Sequence, residues 1–132
     1  MREAIDILRA SELFGGLDET ALTLVAGCAE RVTFPAGAEL FREGDPCETC
    51  YVVEEGRLAL SRRGPRAEQR LIVLGPGEAA GESALLQVPA HGATARAAGR
   101  LVTLALPRDR VLAALAGDGA AAVAVLGSVA RV

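Results

Sequence analysis

Leu74-Gly75-Pro76-Gly77-Glu78-Ala79-Ala80-Gly81-Glu82-Ser83-Ala84-Leu85-Leu86, running on to Ala90-His91-Gly92-Ala93-Thr94-Ala95, is the stretch that decides the fold. It opens at the end of an apolar run from Leu71, which reads as a strand. Gly75-Pro76-Gly77 reads as a turn, because proline presets φ and glycine tolerates φ > 0. Gly81 leads about one turn of good helix formers, and beyond Pro89 and Gly92 the pattern is extended again. A glycine-led helical turn between strands offers backbone N–H groups and a positive dipole end, which suits a small anion.

Upstream of this stretch the hydrophobic period is that of strands. Val32-Thr33-Phe34 and Glu39-Leu40-Phe41 are short β runs around the turn Pro35-Ala36-Gly37, and Gly44-Asp45-Pro46 is another turn. Tyr51-Val52-Val53-Glu54 and Arg57-Leu58-Ala59-Leu60 flank Glu55-Gly56 and read as a tight hairpin. Residues 94–98 and 100–106 read as a second hairpin about Ala98-Gly99. Arg62-Arg63-Gly64-Pro65-Arg66 is a charged loop, either a solvated tip or a contact for an acidic partner. Short strands at regular intervals predict a mainly β sandwich or jelly roll. Helical spacing predicts helices over 2–13 and 19–29, the second capped by Asp18. After Pro107 it predicts helices over 108–116 and 120–132, split by Gly117-Asp118-Gly119.

Composition narrows the function. The chain of 132 residues has the length of one domain, with 51% hydrophobic residues but only 3% aromatic ones, so Ala, Val and Leu must build the core. Lysine is absent, and a net charge of −3 argues against a nucleic-acid binder. No apolar run reaches the ~18–20 residues of a membrane helix, and the N-terminus lacks a signal peptide's apolar stretch. A soluble cytoplasmic protein is expected. Three cysteines, an odd number, do not make a disulfide framework. The one histidine allows no Ser/His/Asp or Cys/His set, and there is no phosphate loop of the Walker type. Enzyme activity is not expected.

The run Gly81-Glu82-Ser83-Ala84-Leu85-Leu86, followed by His91-Gly92-Ala93-Thr94, resembles the phosphate-binding cassette of the cyclic-nucleotide-binding domain family. The family pattern is roughly F-G-E-x-A-L-L, a spacer, then R-x-A-T. Phe34 to Gly37, Phe41 to Asp45 and Tyr51 to Leu58 are similar to that family's strands and turns, so the resemblance spans most of the chain. It implies a β-jelly-roll barrel (a double-stranded β-helix) over 31–107 with the cassette at 75–95. Helices over 1–30 and 108–132 would flank it. The whole would act as a non-catalytic sensor of cAMP or cGMP. Ligand-binding residues would be Gly81, Glu82, Ser83, His91, Gly92, Ala93 and Thr94, with Glu82 accepting from the ribose 2′-OH.

Two departures stand out. The family's arginine is His91, which offers at most two separate donors, and both only when protonated. The aromatic before Gly-Glu is Ala80, which implies a roomier pocket. Arg96 lies too far along its strand to stand in for the arginine. In the family the C-terminal region leads to an effector. Here the output is expected from a homodimer or a separate effector protein docking on the C-terminal helices. Two alternatives remain open: a degenerate fold kept as an interaction or dimerisation module, or a thiol or metal sensor through Cys47 and Cys50, which stand in a C-x-x-C. No metal is expected in the first reading.

Overall fold

The structure, a computed structural model, describes residues 3–130. In chain order it runs α1 (Ala4–Arg9), α2 (Glu19–Ala26), β1 (Glu30–Phe34), β2 (Glu39–Phe41), β3 (Thr49–Glu55), β4 (Leu58–Arg63) and β5 (Glu68–Leu74). There follow β6 (Ala79–Ala80), a 3₁₀ turn (Glu82–Leu86), β7 (Thr94–Ala97), β8 (Leu101–Pro107), α3 (Arg108–Leu115) and α4 (Gly119–Ala130). The strands form two antiparallel four-stranded sheets, ordered β1-β8-β3-β6 and β2-β7-β4-β5. They pack as a jelly-roll sandwich, with the helices from both ends of the chain gathered in one layer against the β1-β8-β3-β6 sheet, and the sheets stay open rather than closing into a barrel.

Both short connections read as hairpins are crossovers between the sheets. β3 pairs with β8 and β6, while β4 pairs with β5 and β7. A two-residue hairpin of type I′ needs φ > 0 at both central residues. Gly56 supplies one (φ 94°), Glu55 does not, and neither Ala98 nor Gly99 does. Gly56 instead lies against the second crossover, where a Cβ would sit 2.4 Å from Arg100 O. The β4–β5 hairpin at 64–67 is real, and it carries exposed Arg62, Arg63 and Arg66 at its tip.

The helices follow their caps. Asp18 Oδ1 accepts from the Ala21 amide at 2.9 Å, and Asp118 Oδ1 accepts from Ala121 at 3.0 Å, starting α2 and α4. The first helix ends at Arg9 instead of reaching residue 13, and the second ends at Ala26 instead of 29. Buried Ser11 is the cause of the first difference. Its hydroxyl donates to Leu8 O (2.6 Å) and accepts from Phe14 N (3.1 Å), which gives the backbone an alternative to the helix. The residue-2 start of the first expected helix and residues 131–132 of the last lie outside the described residues.

Alternation along the strands creates two cores. Cys50, Val52, Leu104 and Leu106 face the helices, where Leu8, Phe14, Leu22, Val111 and Val125 cover them. Phe41, Val53, Leu58, Leu74, Ala95 and Leu101 fill the space between the sheets. Leu85 belongs to the helix-side core, so the turn that begins at Glu82 is packed directly against the terminal helices.

Candidate functional site

Gly81 is the pivot. It adopts φ 74°, ψ 19°, a left-handed conformation that caps the 3₁₀ turn and that glycine reaches without the Cβ clash other residues meet. The space is closed as well: a Cβ there would lie 2.7 Å from Thr49 O, 3.2 Å from His91 Cε1 and 3.4 Å from Phe41 Cε2. The sharp turn carries Glu82 into the wall of a cleft of about 270 Å³ between β4–β5 and the β6 edge. Leu13, Leu60, Ile72, Leu74 and Ala79 give this cleft apolar walls, and Glu12 and Glu78 join Glu82 as its charged groups. Among the described residues no arginine lines it. Ile72 is 49% exposed, so the apolar wall is open to a ligand.

His91 does not share this cleft. The residue is 7% exposed, and its ring stacks on Phe41 with centroids 3.6 Å apart and planes 8° from parallel. Nδ1 lies 3.4 Å from Cys47 Sγ. The backbone is held too, since His91 N donates to Asp45 O (2.9 Å) and Gly44 N donates to His91 O (2.8 Å). Burial lowers the imidazole pKa from its usual value, with Asp45 opposing, so the ring is neutral at pH 7. It opens instead on a separate cleft with Asp45, Glu48 and Tyr51.

The remaining expected residues are scattered. Ser83 turns toward the Cys47 thiol. Thr94 lies on the outer face of β7, where its hydroxyl accepts from Glu43 N at 2.9 Å. It borders a third, charged depression with Arg42, Arg63, Arg96, Glu39 and Glu68. Arg96 is bound there to Glu39 and Glu68, which keeps it from serving the cassette. Gly92 is exposed and its carbonyl accepts from Arg62 Nε at 3.2 Å, while Ala93 is half-buried beside it. Ala80 is buried between the sheets, so its loss of an aromatic ring does not widen the Glu82 cleft; Ala79 lines that cleft instead.

Cys47 and Cys50 are free and buried. Burial raises both thiol pKa values, Cys50 far more, with Glu82 adding to each shift and Ser83 and Arg108 opposing it at Cys47. Such thiols are poor nucleophiles at neutral pH. Among the described residues no three His, Cys, Asp or Glu side chains are arranged to hold a metal ion.

The site is wired to the terminal helices. Ser128 of α4 donates to the carbonyl of Leu13, a wall residue of the Glu82 cleft. Arg108 at the start of α3 donates to Cys47 O at 3.2 Å, and its amide donates to Glu48 O at 2.8 Å. The acidic partners Glu12 and Glu78 escaped the sequence reading because one lies in an N-terminal turn and the other in a loop. The bond from Glu12 N to Gly77 O (2.9 Å) brings those segments together. No described helix is long and apolar enough to cross a membrane.

Residues 31–118 match the family described as "Cyclic nucleotide-binding domain". The N-terminal domain of a transcriptional regulator from Streptomyces coelicolor superposes with a TM-score of 0.85 at 36% identity, covering 96% of this chain and 91% of that one. The regulatory domain of Toxoplasma gondii PKA, crystallised with cAMP, gives 0.77 at 36% identity over 84% of this chain and 42% of its own. The cyclic AMP receptor protein of Thermus thermophilus is 35% identical over 107 residues, 80% of this chain and 50% of that protein. The chain thus spans about half the length of such curated relatives. With two-thirds of its residues matched, a jelly roll and a glycine-pivoted cassette, the chain belongs to the cyclic nucleotide-binding domain family.

Proposed function

We propose that this chain is a non-catalytic, cytoplasmic regulatory sensor domain that takes cAMP or cGMP in the Glu82 cleft with low affinity. The observation that carries the reading is the left-handed Gly81, which sets Glu82 in the wall of an apolar cleft between the sheets. Glu82 accepts from the ribose 2′-OH, the base lies on Leu60, Ile72 and Leu74, and backbone amides around Gly81 to Ser83 meet the phosphate. Low affinity follows from the missing cation. A neutral His91 bound to Cys47 supplies no fixed charge. Losing a charge-assisted contact of this kind costs on the order of 2–5 kcal/mol, roughly 30- to several-thousand-fold in affinity.

Occupancy acts on the helices through Leu85 and the Leu13–Ser128 bond. A ligand shifts such an equilibrium only by its difference in affinity between the two arrangements. The output surface is α4, whose twelve residues carry no charge and leave Val123 75% exposed. A second copy or a separate effector would cover it. The same bare helix favours the second reading, an interaction module that no longer needs a ligand.

Thermal denaturation with millimolar cAMP, cGMP and AMP separates the readings. A concentration-dependent rise in Tm with a cyclic nucleotide, absent with AMP, supports sensing. No rise with either cyclic nucleotide, beside a stable dimer on a sizing column, supports the interaction module.

A further inference from the structure

We propose that the cleft onto which His91 opens is a second binding site, separate from the Glu82 cleft, and that it takes a small organic cation bearing an ammonium or guanidinium group. The cleft measures about 270 Å³ and lies between β2 and the start of β3. His91 is its buried anchor. One ring nitrogen, Nδ1, meets Cys47, while Nε2 has no partner among the described residues. No fully buried side-chain nitrogen or oxygen among them lacks a partner, so Nε2 is reached by solvent, and His91 is one of the residues that line this cleft.

The charge of the walls selects the occupant. Asp45 and Glu48 flank the opening, and among the described residues no arginine lines it. Asp45 Oδ2 accepts from the Arg42 amide at 3.0 Å, which fixes that carboxylate at the rim. Tyr51 stands on the same wall, held by an edge contact with Phe34 (5.9 Å) and a stack on Phe41 (6.2 Å). Two carboxylates repel an anion. They attract a cation, which an aromatic wall tolerates. A ligand N–H then donates to Nε2, which places the imidazole proton on Nδ1, facing the Cys47 sulfur.

The chain has one histidine, so its imidazole nitrogens are a direct reporter. The test titrates ¹⁵N-histidine-labelled protein with agmatine against NaCl of equal ionic strength, and in parallel with butyrate. The expected result is a saturable shift at Nε2 with agmatine alone and the Nδ1–H tautomer in the bound form. The exposed pair Asp45→Asn and Glu48→Gln should weaken agmatine about tenfold, as loss of two partly exposed charge partners does. Glu82→Gln should leave it unchanged. A shift no larger than with NaCl, equal affinity in the double variant, or loss of the shift in Glu82→Gln overturns the proposal. A cAMP signal at Glu82 without any agmatine response removes this site and leaves the proposed sensing role standing.

Discussion

His91→Arg should tighten cyclic-nucleotide binding, because the imidazole lies just behind Gly81, its Cε1 3.2 Å from where a Cβ would sit there, and an arginine too long for the Phe41–Cys47 slot extends past that glycine toward the Glu82 cleft. The wild-type ring brings no charge to the cassette, because it is stacked on Phe41 at 3.6 Å, bonded to Cys47 and held neutral by burial. Arginine adds a permanent two-pronged donor, worth about 2–5 kcal/mol when it meets a desolvated phosphate. Against this stand the lost ring stack, about 0.5–1.5 kcal/mol, and the lost thiol contact. These losses fall on the folded state with and without ligand, so they lower stability more than they lower affinity. The net expectation is that cAMP or cGMP binds at least about tenfold tighter, with 30-fold or more within range. Isothermal calorimetry at pH 7.5 on both proteins measures it, and circular dichroism checks that the variant is folded. Added NaCl should weaken binding to the variant more than to the wild type. A folded variant that binds no tighter refutes the idea that the missing cation limits this site.

Gly81→Ala should cost about 1–3 kcal/mol of stability, from the left-handed backbone and the 2.7 Å approach to Thr49 O, and should remove nucleotide binding; chemical denaturation and calorimetry report the two effects. Leu85→Ala should destabilise by about 2–5 kcal/mol, because Leu85 is 1% exposed and ties the cassette to the helix-side core, which urea unfolding measures. His91 titrates below its usual value, so between that value and the lowered one the unfolded chain holds the proton that the folded chain refuses. Stability contributed by the neutral ring is therefore present above about pH 6.5 and falls as the pH drops below it, by at most about 1.4 kcal/mol per pH unit for one site. Thermal melts from pH 7.5 to 5 should show this fall, smaller in His91→Gln. All three thiols are buried, so a disulfide reagent should label them only after unfolding; rapid labelling of the native chain would contradict the placement of Cys47 and Cys50.

The strands, their order along the chain and the Asp18 cap are local properties, and turn glycines, alternation and a capping carboxylate announce them in the sequence. The helical turn after Gly81 was legible as well, because a glycine followed by Glu-Ser-Ala-Leu-Leu pairs a residue free to take φ > 0 with a run of helix formers. Which strands pair was not. Glu55-Gly56 and Ala98-Gly99 carry hairpin residues, yet the missing second positive φ and the Gly56–Arg100 approach turn both into crossovers. Site composition was harder still. Nothing near Glu82 in sequence announces Glu12, which arrives through one backbone bond to Gly77. The separation of Glu82, His91 and Thr94 onto three different surfaces depends on strand faces and on the Phe41–Cys47 slot that takes the imidazole. A one-dimensional motif places these residues together because it records their spacing but not their direction.

A crystal of the wild-type chain soaked in millimolar cAMP tests the account at its centre. Nucleotide density is expected in the cleft of Leu60, Ile72 and Leu74, with the ribose 2′-OH within hydrogen-bond reach of Glu82 and His91 still stacked on Phe41. An empty cleft at saturating nucleotide, or a nucleotide lodged elsewhere with Glu82 untouched, would contradict it.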